Sequence, residues 1–177
     1  NCPGFGSVAK YIAVSTREAS FDVASMAKTS TKIFILEVMG RHAGWIAAAG
    51  GMASSGSTNI PIVILFPEIR FSRRHFMTVV QRQVKKHGYC SIVVSEGVRN
   101  ANGIFLSDQG LRDAFGHAQL GGVAPVVASM IKQDLGLKYH WAVADYLQRS
   151  ARHIGSKTDV DQAYAVGKAA VEFALKG

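Results

Sequence analysis

The sequence predicts an α/β protein: a mainly parallel sheet with helices on both faces. Three observations carry this expectation. Short apolar, β-branched runs read as buried strands, stretches of helical period with capping residues separate them, and the two kinds of segment alternate along the chain. Strands joined through helices need right-handed crossovers, which makes the strands parallel.

From residue 7 to about 27, Val8, Ile12, Ala19, Val23 and Met26 recur near a 3.6-residue period, with Ser7 as the expected N-cap and Gly4 and Gly6 in the turn before it. Residues 33–38, Ile-Phe-Ile-Leu-Glu-Val, follow a polar linker and form the kind of run that is buried on both sides of a parallel sheet, ending at Met39-Gly40. Residues 42–49 are Ala-rich and expected to be helical, and residues 60–65 make a second strand closed by Pro67. Ser72 caps a helix running to about Lys86, with Gly88 in its C-terminal position. Residues 89–95 form a third strand, and 100–122 read as loops with short turns of helix. Pro125 takes the first position of a helix over 126–135 that Gly136 stops. Residues 138–143 are a fourth strand, and 159–175 a last helix with Val160, Ala163, Val166, Ala170 and Phe173 on one side.

Composition narrows the class of function. With 48% hydrophobic and 18% charged residues and 4 Pro among 177, the chain is able to bury a core, which excludes disorder. No apolar run approaches the ~18 residues that span a bilayer, so no membrane association is expected. Two cysteines, Cys2 and Cys90, are too few and too far apart for a disulfide framework, and the reducing cytoplasm is the expected compartment. The six histidines show no metal-ligand spacing, so no metal site is expected within the chain. The opening Asn1-Cys2-Pro3-Gly4 reads as mid-loop and suggests a fragment of a longer chain.

The net charge of +8 could serve nucleic acid or an anionic metabolite. The dense basic stretch, residues 70–86, places Arg74, Arg82 and Lys85 on a helix face opposite Phe76, Val80 and Val84 and has no interleaved aromatics, the pattern of a solvated helix. No nucleic-acid partner is expected. Gly4-Phe5-Gly6-Ser7 mimics a dinucleotide fingerprint but lacks the strand before it and the acidic residue after it, so it reads as the turn into the first helix. Gly121-Gly122 before Pro125 reads as a turn rather than a phosphate cradle.

Open parallel sheets bind ligands beyond the carboxyl ends of their strands. There the chain carries Met39-Gly40-Arg41-His42, Pro67-Glu68, Ser95-Glu96-Gly97 and Asp145-Tyr146-Leu147-Gln148-Arg149, an inventory for a phosphorylated, hydroxyl-rich molecule. Arg41 follows a buried strand and a glycine and points to a water-poor crevice; its structural alternative is a salt bridge to a neighbouring carboxylate. For Glu96 the spacing leaves two readings even, a solvated turn residue or an acceptor for sugar hydroxyls.

The run Glu37-Val38-Met39-Gly40-Arg41-His42-Ala43-Gly44-Trp45-Ile46-Ala47 resembles the central signature of the phosphofructokinases. Ser95-Glu96-Gly97, Tyr146-Leu147-Gln148-Arg149-Ser150 and Asp159 fall where that family has its other substrate-domain motifs, in the same order, and Pro3-Gly4-Phe5-Gly6-Ser7 resembles the segment just downstream of its catalytic loop. The resemblance covers essentially the whole chain. It implies a phosphofructokinase-like substrate domain: residues 1–150 would be the fructose 6-phosphate-binding α/β domain, and 151–177 the return segment and helix of a donor-binding domain otherwise outside the chain. It further implies that Met39, Gly40 and Arg41 contact the sugar phosphate and that Arg41 is catalytic, stabilising charge on the transferring phosphoryl group. Glu96 would bind sugar hydroxyls and Arg149 the 6-phosphate. Tyr146 stands where many bacterial members have a phosphate-binding histidine. Lys32 and His140 stand where short ATP-dependent members have arginines, one of which reaches the 6-phosphate from a neighbouring subunit of a homo-oligomer. Lys32 keeps the charge without the bidentate fork, and His140 carries a charge only when protonated.

The family's Gly-Gly-Asp phosphate loop and its Pro-Lys-Thr-Ile-Asp-Asn-Asp catalytic loop do not occur in the 177 residues. The general base, the Mg2+ contacts and the donor contacts are accordingly expected outside this chain. The wording Tyr146-Leu147-Gln148-Arg149-Ser150-Ala151 is similar to the bacterial pyrophosphate-dependent branch, which makes pyrophosphate the expected donor in glycolysis, with ATP as the alternative. A non-catalytic sugar-phosphate-binding or regulatory module is the alternative of another class.

Overall fold

The computed structural model describes residues 4–56, 59–112, 118–120 and 122–177, with the backbone alone for 109–112 and 118–120. Asn1, Cys2, Pro3, His117 and Gly121 lie outside the described residues. Helix α1, Phe5–Met26, is followed by strand β1, Ile33–Val38, helix α2, Trp45–Ala49, and a 3-10 turn, Gly50–Ser54. Strand β2, Ile62–Leu65, helix α3, Arg73–His87, and strand β3, Cys90–Ser95, come next. Two short strands follow, β4, Asp108–Arg112, and β5, Ala118–Leu120; then helix α4, Val123–Leu135, strand β6, Tyr139–Val143, helix α5, Asp145–Ser150, a 3-10 turn, Arg152–Ile154, and helix α6, Lys157–Lys176.

The four strands expected from the apolar runs form one sheet in the order β2-β3-β1-β6, with every neighbouring pair parallel. Strand periodicity sorts the side chains of β1 into two cores. Ile33 and Ile35 pack with Ile92, Val94 and the buried residues of α3 and α4, among them Phe76, Val80, Val127 and Ile131. Leu36 and Val38 pack on the other side with Val8 and Ile12 of α1 and Ala47 of α2. Ile12, Ile33, Ile35, Ile92 and Ile131 are fully buried, and each such side chain contributes roughly 1.5–3 kcal/mol through removal from water. A central strand that presents apolar groups to both layers explains the unbroken hydrophobic run in its sequence.

Helix α3 has the predicted caps. Ser72 Oγ accepts the His75 N–H, and Gly88 at φ +85° ends the helix in the left-handed region. Arg74, Arg82 and Lys85 are exposed, as the face pattern required. Arg73 forks onto Asp134 of α4, with Nε 2.8 Å and Nη2 2.7 Å from its two carboxylate oxygens, so part of the basic stretch is spent on joining two helices.

Four expectations are corrected. Residues within 100–122 read as loops and helical turns, yet β4 and β5 form an antiparallel pair with a register shift between Asp108 and Arg112. Pairing rather than local propensity makes these strands, since Asp-Gln-Gly-Leu-Arg has no alternating apolar pattern. Ser7 is not the N-cap: α1 begins at Phe5, and Ser7 uses its N–H and hydroxyl on Asp159 at 2.6 and 2.7 Å. Pro125 is the third helical residue of α4, not the first, because the Glu37 carboxylate accepts the Ala124 N–H at 2.8 Å and the helix starts upstream at Val123. The Ala-rich helix is shorter than expected and tightens into a 3-10 turn at Gly50, where a Cβ would lie 2.7 Å from Val93 Cγ2.

Helix α6 touches the rest of the chain at its start, through Asp159, and none of its residues is buried. Its expected apolar side is open, with Val160 54%, Val166 70% and Phe173 71% exposed. Among the described residues no helix is long and apolar enough to cross a membrane.

Candidate functional site

The site grows from the point where β1 stops. At Met39 and Gly40 the backbone leaves the sheet, and three side chains from two flanking elements hold it. Gln148 Oε1 of α5 accepts the Met39 N–H at 3.2 Å, and Glu96 Oε1 accepts the Gly40 N–H at 3.1 Å. Ser95 Oγ donates to the Gly40 carbonyl. Gly40 sits at φ +135°, and a Cβ there would come within 2.6 Å of the Ala43 carbonyl oxygen, so the turn needs glycine.

On the β3 side the Glu96 N–H donates to the Val38 carbonyl at 3.0 Å, which extends the parallel ladder past the last strand residue. Gly97 then lets the chain pass against Arg41: a Cβ on it would lie 2.1 Å from the Arg41 carbonyl oxygen. The Arg41 backbone is therefore pinned between two glycines, while its half-buried side chain makes no ion pair among the described residues. The structural alternative, a salt bridge spent on a neighbouring carboxylate, is absent there.

On the other side, β6 feeds directly into α5. The Ala144 N–H donates to the Glu37 carbonyl at 2.9 Å, and Asp145 takes φ +33°, a left-handed value unusual for a residue with a Cβ. Helix α5 carries Tyr146, 70% exposed, and Arg149, whose guanidinium lies 5.3 Å from the Tyr146 ring centroid. This cation–π contact orients the arginine without consuming its hydrogen-bond donors.

Between these elements lies a cleft of about 240 Å³, lined by Glu37, Met39, Glu96, Gly122, Asp145 and Gln148 with Val38 and Val143. Its polar groups are carboxylates, an amide and backbone, a set suited to hydroxyl groups. Arg41 and Arg149 do not line it; Arg41 comes two residues after the lining Met39, and Arg149 one residue after the lining Gln148. A cavity of about 260 Å³ lined by Leu65, Phe71, Phe76 and Val98 among others includes neither Arg41 nor Arg149 in its lining.

In the sequence Glu37 reads as part of an apolar run; the signal that marks it out is a carboxylate in a strand buried on both faces. Burial pushes its pKa up, the Ala124 and Val123 N–H groups oppose that rise, and the charges of Glu96 and Asp145 add to it. Because Glu37 sits at the N-terminus of α4, that helix end is already served by the protein's own carboxylate. Glu68, after β2, is likewise spent internally, accepting the Gly44 N–H at 2.7 Å where α2 begins. Asp159 is held below the usual carboxylate range, first by the Ser7 hydroxyl and then by the Ser7 N–H.

The structure thus brings Met39, Gly40 and Glu96 together, seats the Arg41 backbone against Gly97, and joins α5, which carries Tyr146 and Arg149, to Met39 through Gln148. It does not bring Lys32 or His140 there. Lys32 is at the opposite end of β1, its ammonium bonded to the Ala27 carbonyl and its N–H to Lys138, and His140 pairs with Phe34 near the amino-terminal edge. Among the described residues no three His, Cys, Asp or Glu side chains converge in a way that could hold a metal ion.

These features define an α/β protein with a cleft at the carboxyl ends of parallel strands, lined by carboxylates, an amide and glycine backbone, the place where open parallel sheets bind ligands. The family model described as PFK: Phosphofructokinase matches residues 1–174, and the chain belongs to the phosphofructokinase family. It is 70% identical over 176 residues to the pyrophosphate--fructose 6-phosphate 1-phosphotransferase of Methylococcus capsulatus, covering 99% of this chain and 42% of that protein. Its identity to the protein of the same name from Halomonas elongata is 70% over 177 residues, with 100% and 42% covered. The crystal structure of pyrophosphate-dependent phosphofructokinase from Nitrosospira multiformis matches with a TM-score of 0.82 and 68% identity over 99% of this chain and 41% of that one. The chain spans about 42% of the length of these curated relatives.

Proposed function

We propose that this chain is the sugar-phosphate half of an enzyme that transfers a phosphoryl group from pyrophosphate to O1 of fructose 6-phosphate. The observation that carries the reading is the clamped Met39-Gly40-Arg41 peptide beside a carboxylate-lined cleft, in a chain 70% identical to two enzymes named for this reaction. In the reaction an O1 electron pair attacks phosphorus, the bond to the leaving phosphate breaks, and the O1 proton passes to a base outside this chain. Arg41 neutralises charge on the group in flight, and Arg149 holds the 6-phosphate. Glu96 keeps one carboxylate oxygen on Gly40 and offers the other to sugar hydroxyls. Such transfer needs in-line positioning and charge neutralisation more than covalent chemistry, which suits a site of arginines and backbone.

On this reading the protein is a cytoplasmic homo-oligomer of glycolysis in which one of the positions held by Lys32 and His140 reaches the 6-phosphate of a neighbouring copy. Magnesium is held with the donor by residues outside this chain, residues 1–150 form the sugar domain, and 151–177 lead into the donor domain, whose surface covers α6. The open apolar side of α6 supports that division. The test is steady-state kinetics on the full-length protein. Arg149→Ala should mainly raise KM for fructose 6-phosphate, and Arg41→Ala should also lower kcat by about 10²-fold. Unchanged kinetics for both variants would refute the site, and a preference for ATP over pyrophosphate would refute the donor.

A further inference from the structure

Gln148 is 1% exposed, and the two ends of its amide are spent on two different elements. Its Oε1 accepts the N–H of Met39, the residue before Gly40-Arg41, and its Nε2 donates at 3.0 Å to the carbonyl of Asp145, the residue that opens the helix carrying Arg149. The partners fix the amide's orientation, because a flipped group would set a donor against an N–H and an acceptor against a carbonyl. The carbonyl it binds belongs to the one described non-glycine residue in the left-handed region, Asp145. Such a conformation persists only where surrounding contacts over-determine it. The backbone bond from Ala144 to Glu37 ties the end of β6 to β1 but stops short of α5, so Gln148 supplies the side-chain link between helix and loop.

We propose that Gln148 is a positioning residue: by bridging the Met39 N–H and the Asp145 carbonyl it sets the spacing between the Arg41 loop and the Arg149 helix. This rests on the function proposed above, because a sugar phosphate presents its phosphate and its reacting hydroxyl at a separation fixed by the sugar. Two guanidiniums on independently moving elements would match both ends only part of the time, and small misplacements are expensive in rate. Glutamate cannot replace the amide without losing the donor to Asp145, and leucine loses both bonds.

The test is a double-variant cycle in the full-length protein with fructose 6-phosphate and pyrophosphate, with melting temperature measured alongside. Gln148→Leu should raise KM for fructose 6-phosphate about tenfold and leave KM for pyrophosphate near wild type. In an Arg149→Ala background the same change should add less than about threefold, since the two act as a unit. Gln148→Glu, which keeps the acceptor for Met39, should give a smaller rise and reads the effect if the leucine variant does not fold. If Arg149→Ala raises KM while both Gln148 variants only melt earlier, Gln148 is merely structural and the inference is overturned with the proposed function intact. Additive effects in the double variant overturn it as well. If Arg149→Ala leaves KM unchanged, the functional reading itself fails and takes this inference with it.

Discussion

Replacing Gly97 with alanine tests whether the Arg41 backbone has a rigid seat. Gly97 does not need a left-handed backbone, so the substitution acts through space alone. Its new Cβ would lie 2.1 Å from the Arg41 carbonyl oxygen, 2.5 Å from its carbonyl carbon and 2.7 Å from its Cα. Ordinary contact begins near ~3.5 Å, so the two backbones must separate by more than about 1 Å. Neither can move freely: Glu96 is bonded to Val38 and to Gly40, and Ser95 holds both the Gly40 carbonyl and the Gly97 N–H. Overpacking of this kind costs about 1–3 kcal/mol of stability, and an ångström of displacement at a catalytic group costs about 10²-fold in rate. In the full-length protein Gly97→Ala should therefore lower kcat/KM for fructose 6-phosphate by about two orders of magnitude while the enzyme stays folded at assay temperature. Wild-type kinetics in a folded Gly97→Ala protein would refute the argument that this close approach positions Arg41.

Two further outcomes follow from buried groups. Glu37 holds its proton more tightly folded than unfolded, so its contribution to stability is present below the ordinary glutamate range and lost as pH rises through its raised pKa. Glu37→Gln should flatten that part of the dependence of urea midpoint on pH above about 4.5, and a parallel slope in wild type and variant would contradict it. Burial pushes the Cys90 thiol up to about 12, so at pH 8 a thiol reagent should modify the Cys90 peptide only after denaturation; labelling at a free-thiol rate in the native protein would contradict the packing of β3.

The legible part of the site is the part built from consecutive residues. Gly40-Arg41 and Glu96-Gly97 follow directly on strands, and a strand's carboxyl end is a place that sequence pattern can locate. Glu37 and Gln148 were not legible as site residues, because each acts on a group far away in the chain: Glu37 on Ala124, Gln148 on Met39. Ser7 reads as a cap in the sequence for the same reason, its partner Asp159 being 152 residues away.

By itself the sequence determined the four core strands, the limits of α3 and the strand ends that bear the arginines. These follow from the local chemistry of apolar period, capping oxygen and left-handed glycine, which operates within a few residues. Only the tertiary structure decided the strand order β2-β3-β1-β6, the pairing of β4 with β5 and the start of α4 at Val123. It alone closed the ring of contacts from Ser95, Glu96 and Gln148 around Gly40 and its neighbours. The reason is that a buried donor or acceptor must find a partner wherever the fold supplies one, and which residues lie within 3 Å of each other across the sheet is fixed by packing rather than by spacing along the chain.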